Sequence, residues 1–322
     1  MRISIEAAVL AGVLACSAAW AQTTWPDRPI RVVVATPAGG PVDLLARILS
    51  ESVSRRLQQP VIIDNKVGAS GSIGISYLTS QAPDGYTVLL SANAAHSLMP
   101  VVRKVAYKPL DDFTFLGQLA FTPNVFVVPA TSPAKTLREF VDLARAQPGK
   151  FNYGTMLGIP QHVDFERFKR DTATDIQLIP FTGGAPIVTA MLGDQIQATL
   201  VNVPLVAEWV KSGKLRALAT PGSSRLASMP GVPTLAEAGF PDLKLDAGNY
   251  YALVAPAGLP KTIGDKLFQA FAAAAAEPEV IQKLGTAGFE ASLRDGDTLR
   301  SDLVRELADN EKLIKALKLK LE

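Results

Sequence analysis

Residues 30–59 read IRVVVATPAGGPVDLLARILSESVSRRLQQ, and this stretch decides the fold. The β-branched run Ile30–Ala35 predicts a buried strand, and Thr36–Gly40 predicts a turn. Proline is favoured at the first position of a helix, which is where Pro41 falls. An apolar stripe at helical spacing follows: Val42, Leu45, Leu49, Val53 and Leu57. A strand, a turn and an amphipathic helix in this order form the building unit of an α/β fold.

The same order recurs in two groups of strands along the chain. The first group continues with Val61–Asp64 and Thr87–Ser91, each followed by a loop rich in small residues. The second group contains four short apolar runs: Phe151–Gly154, Ile176–Phe181, Gln197–Val201 and Leu215–Thr220. We therefore predict an α/β protein with two lobes and mostly parallel sheets.

Two apolar runs near prolines, Val125–Val128 and Tyr250–Ala255, separate these groups. A chain that enters and leaves the second group once each crosses between the lobes twice, which is the arrangement of a hinge. We predict hinge crossings near residues 125 and 250. The first lobe then consists of residues 22–124 and 251–322, and the second lobe of residues 125–250.

Two helix starts in the second group carry capping-box spacing. They are Thr136 with Glu139 and Thr234 with Glu237. At this spacing a hydroxyl and a carboxylate satisfy each other's backbone amides reciprocally. We expect a side-chain cap at both positions.

The first 21 residues differ from the rest of the chain. Arg2 precedes an apolar stretch over residues 7–19, and Ala19-Trp20-Ala21 is a small-x-small cleavage site. The apolar stretch is too short to span a bilayer. We predict a secretory signal peptide at residues 1–21, and therefore a periplasmic protein. The alternative is lipoprotein processing at Cys16, because a short box of small and apolar residues precedes it.

Composition argues against several classes of function. The 32 basic and 30 acidic residues nearly cancel and are spread along the chain, so we predict no nucleic-acid partner. With two histidines and one cysteine, a transition-metal site would need mainly carboxylates, and we predict none. The sequence has no Gly-x-Ser-x-Gly elbow, Walker loop or His-Glu-x-x-His motif, so we predict neither an enzyme nor a cofactor.

Glycine-bearing loops follow strands at four places. They are Pro37–Asp43, Gly68–Gly74, Gly154–His162 and Thr182–Pro186. In open α/β sheets, ligands bind at the carboxyl ends of the strands. A helix that begins there presents unpaired amides and a partial positive charge, which suits a carboxylate. Each loop alone is explained by a tight turn, but four together favour a binding cleft.

A series of motifs extends from Trp25 to beyond Asp297. It includes Trp25-Pro26-Asp27-Arg28-Pro29-Ile30, Pro37-Ala38-Gly39-Gly40, Pro83-Asp84-Gly85-Tyr86-Thr87, Gly183-Gly184-Ala185-Pro186, Val232–Gly239 and Ala255-Pro256-Ala257-Gly258. With these motifs the chain resembles the Bug receptors, the extracytoplasmic solute-binding proteins of tripartite tricarboxylate transporter systems. The resemblance implies a Venus-flytrap fold of the type II periplasmic-binding class. It also implies a small carboxylate ligand, the subunits of a membrane transporter as partners, and a monomeric mature chain.

The resemblance also implies which residues contact the ligand. Ala38–Gly40 would hold the carboxylate partly through water, and Thr155–Gly158 would donate hydrogen bonds directly. Phe181 and Tyr250 stand where the chain departs from the family pattern; aromatic rings in the pocket would suit an aromatic acid, and a di- or tricarboxylate or an amino acid stays open as the ligand. The full predicted set is Ala38, Gly39, Gly40, Asp43, Ser91, Asn93, Thr155, Met156, Leu157, Gly158, His162, Phe181, Asn202 and Tyr250.

Three alternatives stay open at this stage. Asp43 and His162 are also explained as structural residues, one at a helix start and one as a hydrogen-bonding strut. Phe181 and Tyr250 are also explained as core residues. The whole chain is also compatible with an exported enzyme that acts on an anionic metabolite, because a fold does not determine an activity.

Overall fold

The computed structural model describes residues 25–68 and 71–317. The predicted signal peptide at residues 1–21, including Cys16, lies outside the described residues. The strands are β1 Ile30–Val34, β2 Val61–Asn65, β3 Thr87–Ala92, β4 Phe113–Pro129, β5 Phe151–Thr155, β6 Ile176–Pro180, β7 Thr199–Asn202, β8 Leu215–Ala219, β9 Gly248–Pro256 and β10 Glu290–Asp295.

The helices of the same ranges begin with α1, at the position that the opening stretch predicts. They are α1 Pro41–Leu57, α2 Ser72–Thr79, α3 Ala94–Ser97, α4 Met99–Val102, α5 Leu137–Ala146, α6 Pro160–Asp171, α7 Gly184–Leu192, α8 Val203–Lys211, α9 Lys261–Ala275, α10 Pro278–Thr286 and α11 Gly296–Leu317. None of these described helices is both long enough and apolar enough to cross a membrane.

The sheets combine parallel and antiparallel pairing. In the first lobe β1 pairs in parallel with β2 and β3, and the order continues antiparallel through β9 and β4 to β10. In the second lobe β4 pairs antiparallel with β7 and β8, while β5 and β6 pair in parallel. The α/β class is confirmed. The sheets are mixed because the strands that pair with β4, the strand shared by both lobes, all run against it.

Strand β4 belongs to both lobes. It is 17 residues long, far longer than the predicted run Val125–Val128. Up to Pro123 it pairs with β9, and from Asn124 onward it pairs with β7 and β8. The Asn124 amide donates to the Ala247 carbonyl at 2.8 Å, just before β9 begins. Both passages of the chain between the lobes therefore meet at one point.

Each lobe has its own apolar core. The predicted stripe of α1 is buried along its whole length against the first-lobe sheet. In the second lobe the Tyr153 and Phe165 rings stack with centroids 3.9 Å apart, and Phe126 packs beside them. Because the two cores are separate, the cleft between them is the natural place for a ligand.

A pair of glycine substitutions tests the close approach of the crossing strands. An alanine Cβ at Gly248 would collide with the Thr122 carbonyl oxygen, whereas at Gly285, in α10, it would meet open space. We expect Gly248→Ala to lower the free energy of unfolding by about 1–3 kcal/mol or more, because the backbone must shift. Gly285→Ala should raise it by up to about 1 kcal/mol. Urea unfolding of both variants checks this; equal effects would contradict the packing described.

Candidate functional site

Two adjoining cavities lie between the lobes and form the cleft. Both have Val42, Ala92 and Ile159 in their walls, so they share an apolar boundary. The first compartment has a volume of about 240 Å³ and is walled by the ends of β3, β5 and β7 and by β9. The second compartment has a volume of about 300 Å³ and lies between the β1 and β3 ends and residues 157–159 of the second lobe. Each compartment therefore contacts both lobes.

Four helices of nine or more residues begin at the wall of the first compartment. Pro41 begins α1 in the first lobe, whereas Pro160 begins α6, Gly184 begins α7 and Asn202 precedes α8 in the second lobe. In none of these four described helices does the N-cap side chain accept a hydrogen bond from the first turn. Their first amides thus remain available to a ligand, and each helix start adds partial positive charge.

Both predicted capping boxes form, at the start of α5 and at the turn after Thr234. The Thr136 hydroxyl accepts the Glu139 amide at 3.2 Å at the start of α5. Thr234 and Glu237 form the full reciprocal box, with the Thr234 amide donating to the Glu237 carboxylate at 2.8 Å. The helices α9 and α10, which begin away from the cleft, have no side-chain cap, so an uncapped start is not by itself a mark of the cleft.

A network of side-chain amides forms the floor of the first compartment. Asn124 is fully buried, and its Oδ1 accepts from Gln161 Nε2 at 3.0 Å and from Asn202 Nδ2 at 2.8 Å. Its Nδ2 donates to the Asp246 carbonyl at 3.2 Å. Gln161, Asn202 and the neighbouring Asn249 all line the compartment. The network thus joins α6, β7 and the start of β9 at the place where β4 changes lobes.

The loop after β5 supplies most of the second-lobe wall. Thr155, Met156, Leu157 and Gly158 all line one of the two compartments. The Gly158 amide donates to Nδ1 of His162 at 3.2 Å. Burial lowers the pKa of His162, so its ring stays neutral and able to accept this bond. His162 itself is buried behind the loop and does not line the cleft.

Asp43 anchors the loop before α1. Its buried carboxylate accepts from Arg47 Nε, from the Gly39 amide and from Asn65 Nδ2, each at 2.9 Å. The hydrogen bond from Arg47 is the main reason that its pKa falls to about 2, against the opposing effect of burial. Asp43 therefore fixes the path of the chain into α1 and lines neither compartment of the cleft.

The structure brings six of the fourteen predicted ligand residues to the cleft wall: Ser91, Thr155, Met156, Leu157, Gly158 and Asn202. The other eight are not among the lining residues: Ala38, Gly39, Gly40, Asp43, Asn93, His162, Phe181 and Tyr250. On the α1 side the wall begins at Pro41, directly after the predicted loop.

Both predicted aromatic residues belong to the lobe cores. Tyr250 packs with Ile75 and Leu299 in the first lobe, and burial raises the pKa of its phenol. The Phe181 ring covers Gly154, where an alanine Cβ would lie 2.9 Å from it. Neither ring is among the residues that line the two compartments.

Several cleft residues were not predicted from the sequence: Thr36, Val42, Arg103, Gln161, Asn249 and Tyr251. Gln161 and Asn249 are sequence neighbours of the predicted His162 and Tyr250. In β9, alternate side chains point to opposite faces, so Asn249 and Tyr251 face the cleft while Tyr250 faces the core. The alternation of side chains along this strand was the sequence signal that could have identified Asn249 and Tyr251 as cleft residues.

Comparison with known proteins gives consistent results. The family model for the tripartite tricarboxylate transporter family receptor matches residues 45–319. BugT of Bordetella pertussis is 35% identical over 287 residues, which cover 83% of this chain and 86% of BugT.

Solved structures of related proteins match the fold of this chain over most of its length. The structure of a periplasmic transporter has a TM-score of 0.80 and 33% identity, and covers 92% of this chain and 100% of that one. An R. palustris protein with adipate has a TM-score of 0.80 and 30% identity, and covers 91% of this chain and 98% of that one. The predicted two-lobed periplasmic-binding fold is thereby confirmed.

Replacing Asp43 tests its anchoring role. We expect Asp43→Asn to lower the free energy of unfolding near neutral pH by about 1–3 kcal/mol, because the carboxylate accepts three hydrogen bonds. Its pKa in the folded state lies below the ordinary 3.8, so this stabilisation is present above pH 4 and is lost as pH falls towards about 2. The difference from wild type should shrink over that window in urea titrations. Asp265→Asn, in an exposed ion pair, is the control and should change little.

The amide network gives a second prediction. Asn124→Ala leaves the Gln161 and Asn202 donors without their acceptor, and should lower the free energy of unfolding by about 2–4 kcal/mol. A double-mutant cycle with Gln161→Ala should show that the two effects are not additive, because each variant breaks the same hydrogen bond between Gln161 and Asn124. Strictly additive effects would mean that the two amides are not coupled.

Proposed function

The chain belongs to the tripartite tricarboxylate transporter receptor family, and we propose that it captures a small carboxylate between its two lobes in the periplasm and delivers it to a membrane transporter. Receptors of this family bind their solutes and are not enzymes. One observation carries the proposal. Four helix starts without side-chain caps, contributed by both lobes, lie at the wall of one cavity.

A carboxylate suits this cavity better than a cation or a neutral solute. Backbone amides and helix dipoles stabilise negative charge, and the lining of the first compartment includes no acidic side chain among the described residues. The solved R. palustris relative holds adipate, which supports a carboxylate here. The polar side chains of Thr155 and Gln161 add uncharged hydrogen-bonding groups to the same wall.

Ligand capture works by shifting a population. An open form admits the carboxylate, and contacts from both lobes favour the closed form. To change from mostly open to mostly closed, the ligand must bind the closed form more tightly by roughly 5 kcal/mol. We propose residues 22–124 and 251–322 as the first lobe and residues 125–250 as the second, with β4 and the approach to β9 as the hinge.

Export and partners complete the proposal. Residues 1–21 are a signal peptide that is removed after Ala21, and the mature chain is a monomer. The closed, ligand-bound form is the one that the transporter subunits recognise, because only that form reports that a ligand is present. The ligand passes through the receptor chemically unchanged.

A ligand screen with the mature chain tests this function. We expect at least one carboxylate from a panel of mono-, di- and tricarboxylates, amino acids and aromatic acids to raise the Tm, because it binds the folded state alone. Mass spectrometry should recover it unchanged. Thr155→Val, which removes a hydroxyl from the cleft wall, should weaken its binding about fivefold to tenfold in calorimetry.

Thr189→Val is the matched control, since Thr189 is exposed on α7 and bonds only to its own helix. The Thr189→Val variant should bind the carboxylate with the affinity of the wild-type chain. The proposed function fails when no carboxylate shifts the Tm, or when the recovered ligand has been transformed.

A further inference from the structure

The second compartment is a chemically distinct part of the cleft. Most of its wall is apolar, with Ile75, Leu90 and Met99 on the first-lobe side. Among the described residues that line either compartment, Arg103 carries the only ionised side chain. A guanidinium is charged at every relevant pH and binds carboxylates with parallel N–H donors. Helix starts would therefore compensate a negative charge in the first compartment, and the Arg103 guanidinium would do so in the second.

Arg103 reaches from one lobe to the other. It directly follows α4 in the first lobe. Its Nη2 lies 3.4 Å from the position that a Cβ would occupy at Gly158, in the second lobe. The absence of a side chain at Gly158 thus leaves room for the guanidinium at the boundary between the lobes. A group bound beside Arg103 would contact both lobes.

Thr36 adds a hydroxyl to the same compartment. Its Oγ1 is buried and has no hydrogen-bond partner among residues 25–68 and 71–317. An unpaired buried hydroxyl is costly, so such a group calls for an explanation. A ligand oxygen in the second compartment would accept its proton.

We propose that Arg103 and Thr36 form a subsite for a second carboxylate, so that the receptor selects dicarboxylates whose two acid groups are joined by an apolar chain. The inference rests on the proposed function, which places the first carboxylate at the helix starts of the first compartment. Val42, Ala92 and Ile159 are shared by both compartments and would contact the apolar chain between the acid groups. The second carboxylate would then pair with the guanidinium.

Matched ligand pairs test the second subsite. Succinate, glutarate, adipate and suberate are each compared by calorimetry with the monocarboxylate of the same chain length, so that each pair differs in one terminal acid group. In the wild-type chain, the best dicarboxylate should bind about tenfold or more tightly than its partner, because a charge-assisted bond to Arg103 is gained. A wild-type chain that binds every monocarboxylate as tightly as its dicarboxylate would overturn the proposal.

Substitution of Arg103 assigns the preference to this residue. Arg103→Met should reduce the ratio of the affinities for the best dicarboxylate and for the monocarboxylate of the same chain length to near unity. The affinity for the monocarboxylate should stay within about twofold of wild type. Lys104→Met removes the same charge from the exposed neighbour, which does not line the cleft, and should keep the full ratio. An unchanged ratio in Arg103→Met would exclude Arg103 from the subsite.

Thr36→Val separates a ligand contact from a structural role. Removing an unpaired buried hydroxyl should leave the Tm of the ligand-free protein unchanged or higher, whereas affinity for the dicarboxylate should fall. A lower Tm with unchanged affinity would show that the hydroxyl is structural and would remove it from the subsite. Binding of monocarboxylates alone would leave the proposed function standing and refute the second subsite. Failure of every carboxylate to bind would refute the proposed function itself.

Discussion

The structure depends on one buried contact, the amide of Asn124 at the point where β4 passes from one lobe to the other. Its three hydrogen bonds reach α6, β7 and the chain just before β9. Because Asn124 is fully buried, each of these bonds must be made if the crossing is to be stable. The same network presents Gln161, Asn202 and Asn249 to the first compartment. The structural joint and the cleft floor are therefore built from the same side chains.

The cleft favours an anion chiefly through its backbone. In the first compartment, positive potential comes from helix starts whose amides lack side-chain caps, and the polar side chains are neutral. Asp43, in the first turn of α1, turns its carboxylate toward Arg47 and the Gly39 amide. Its charge is thus satisfied within the first lobe and does not repel a carboxylate ligand. Under the proposed function, selectivity among carboxylates would depend on what lies beyond the helix starts, in the second compartment.

Much of the fold was predictable because local patterns and long-range packing agree. The β-branched run of β1 and the apolar stripe of α1 both lie where their periodicity places them. The cleft residues were harder to predict, because contact with a cavity depends on side-chain direction as well as on position in the chain. Tyr250 shows this, since its neighbours Asn249 and Tyr251 face the cleft while its own ring is in the core. No pattern marks Arg103, because its place in the cleft follows from how α4 packs across from Gly158.

A crystal structure of the mature chain with the carboxylate that stabilises it most tests the central claim directly. The account predicts that one carboxylate group accepts hydrogen bonds from backbone amides of both lobes, at the start of α1 and at the start of α6 or α7. A carboxylate held by one lobe alone, or bound outside the cleft, would contradict it.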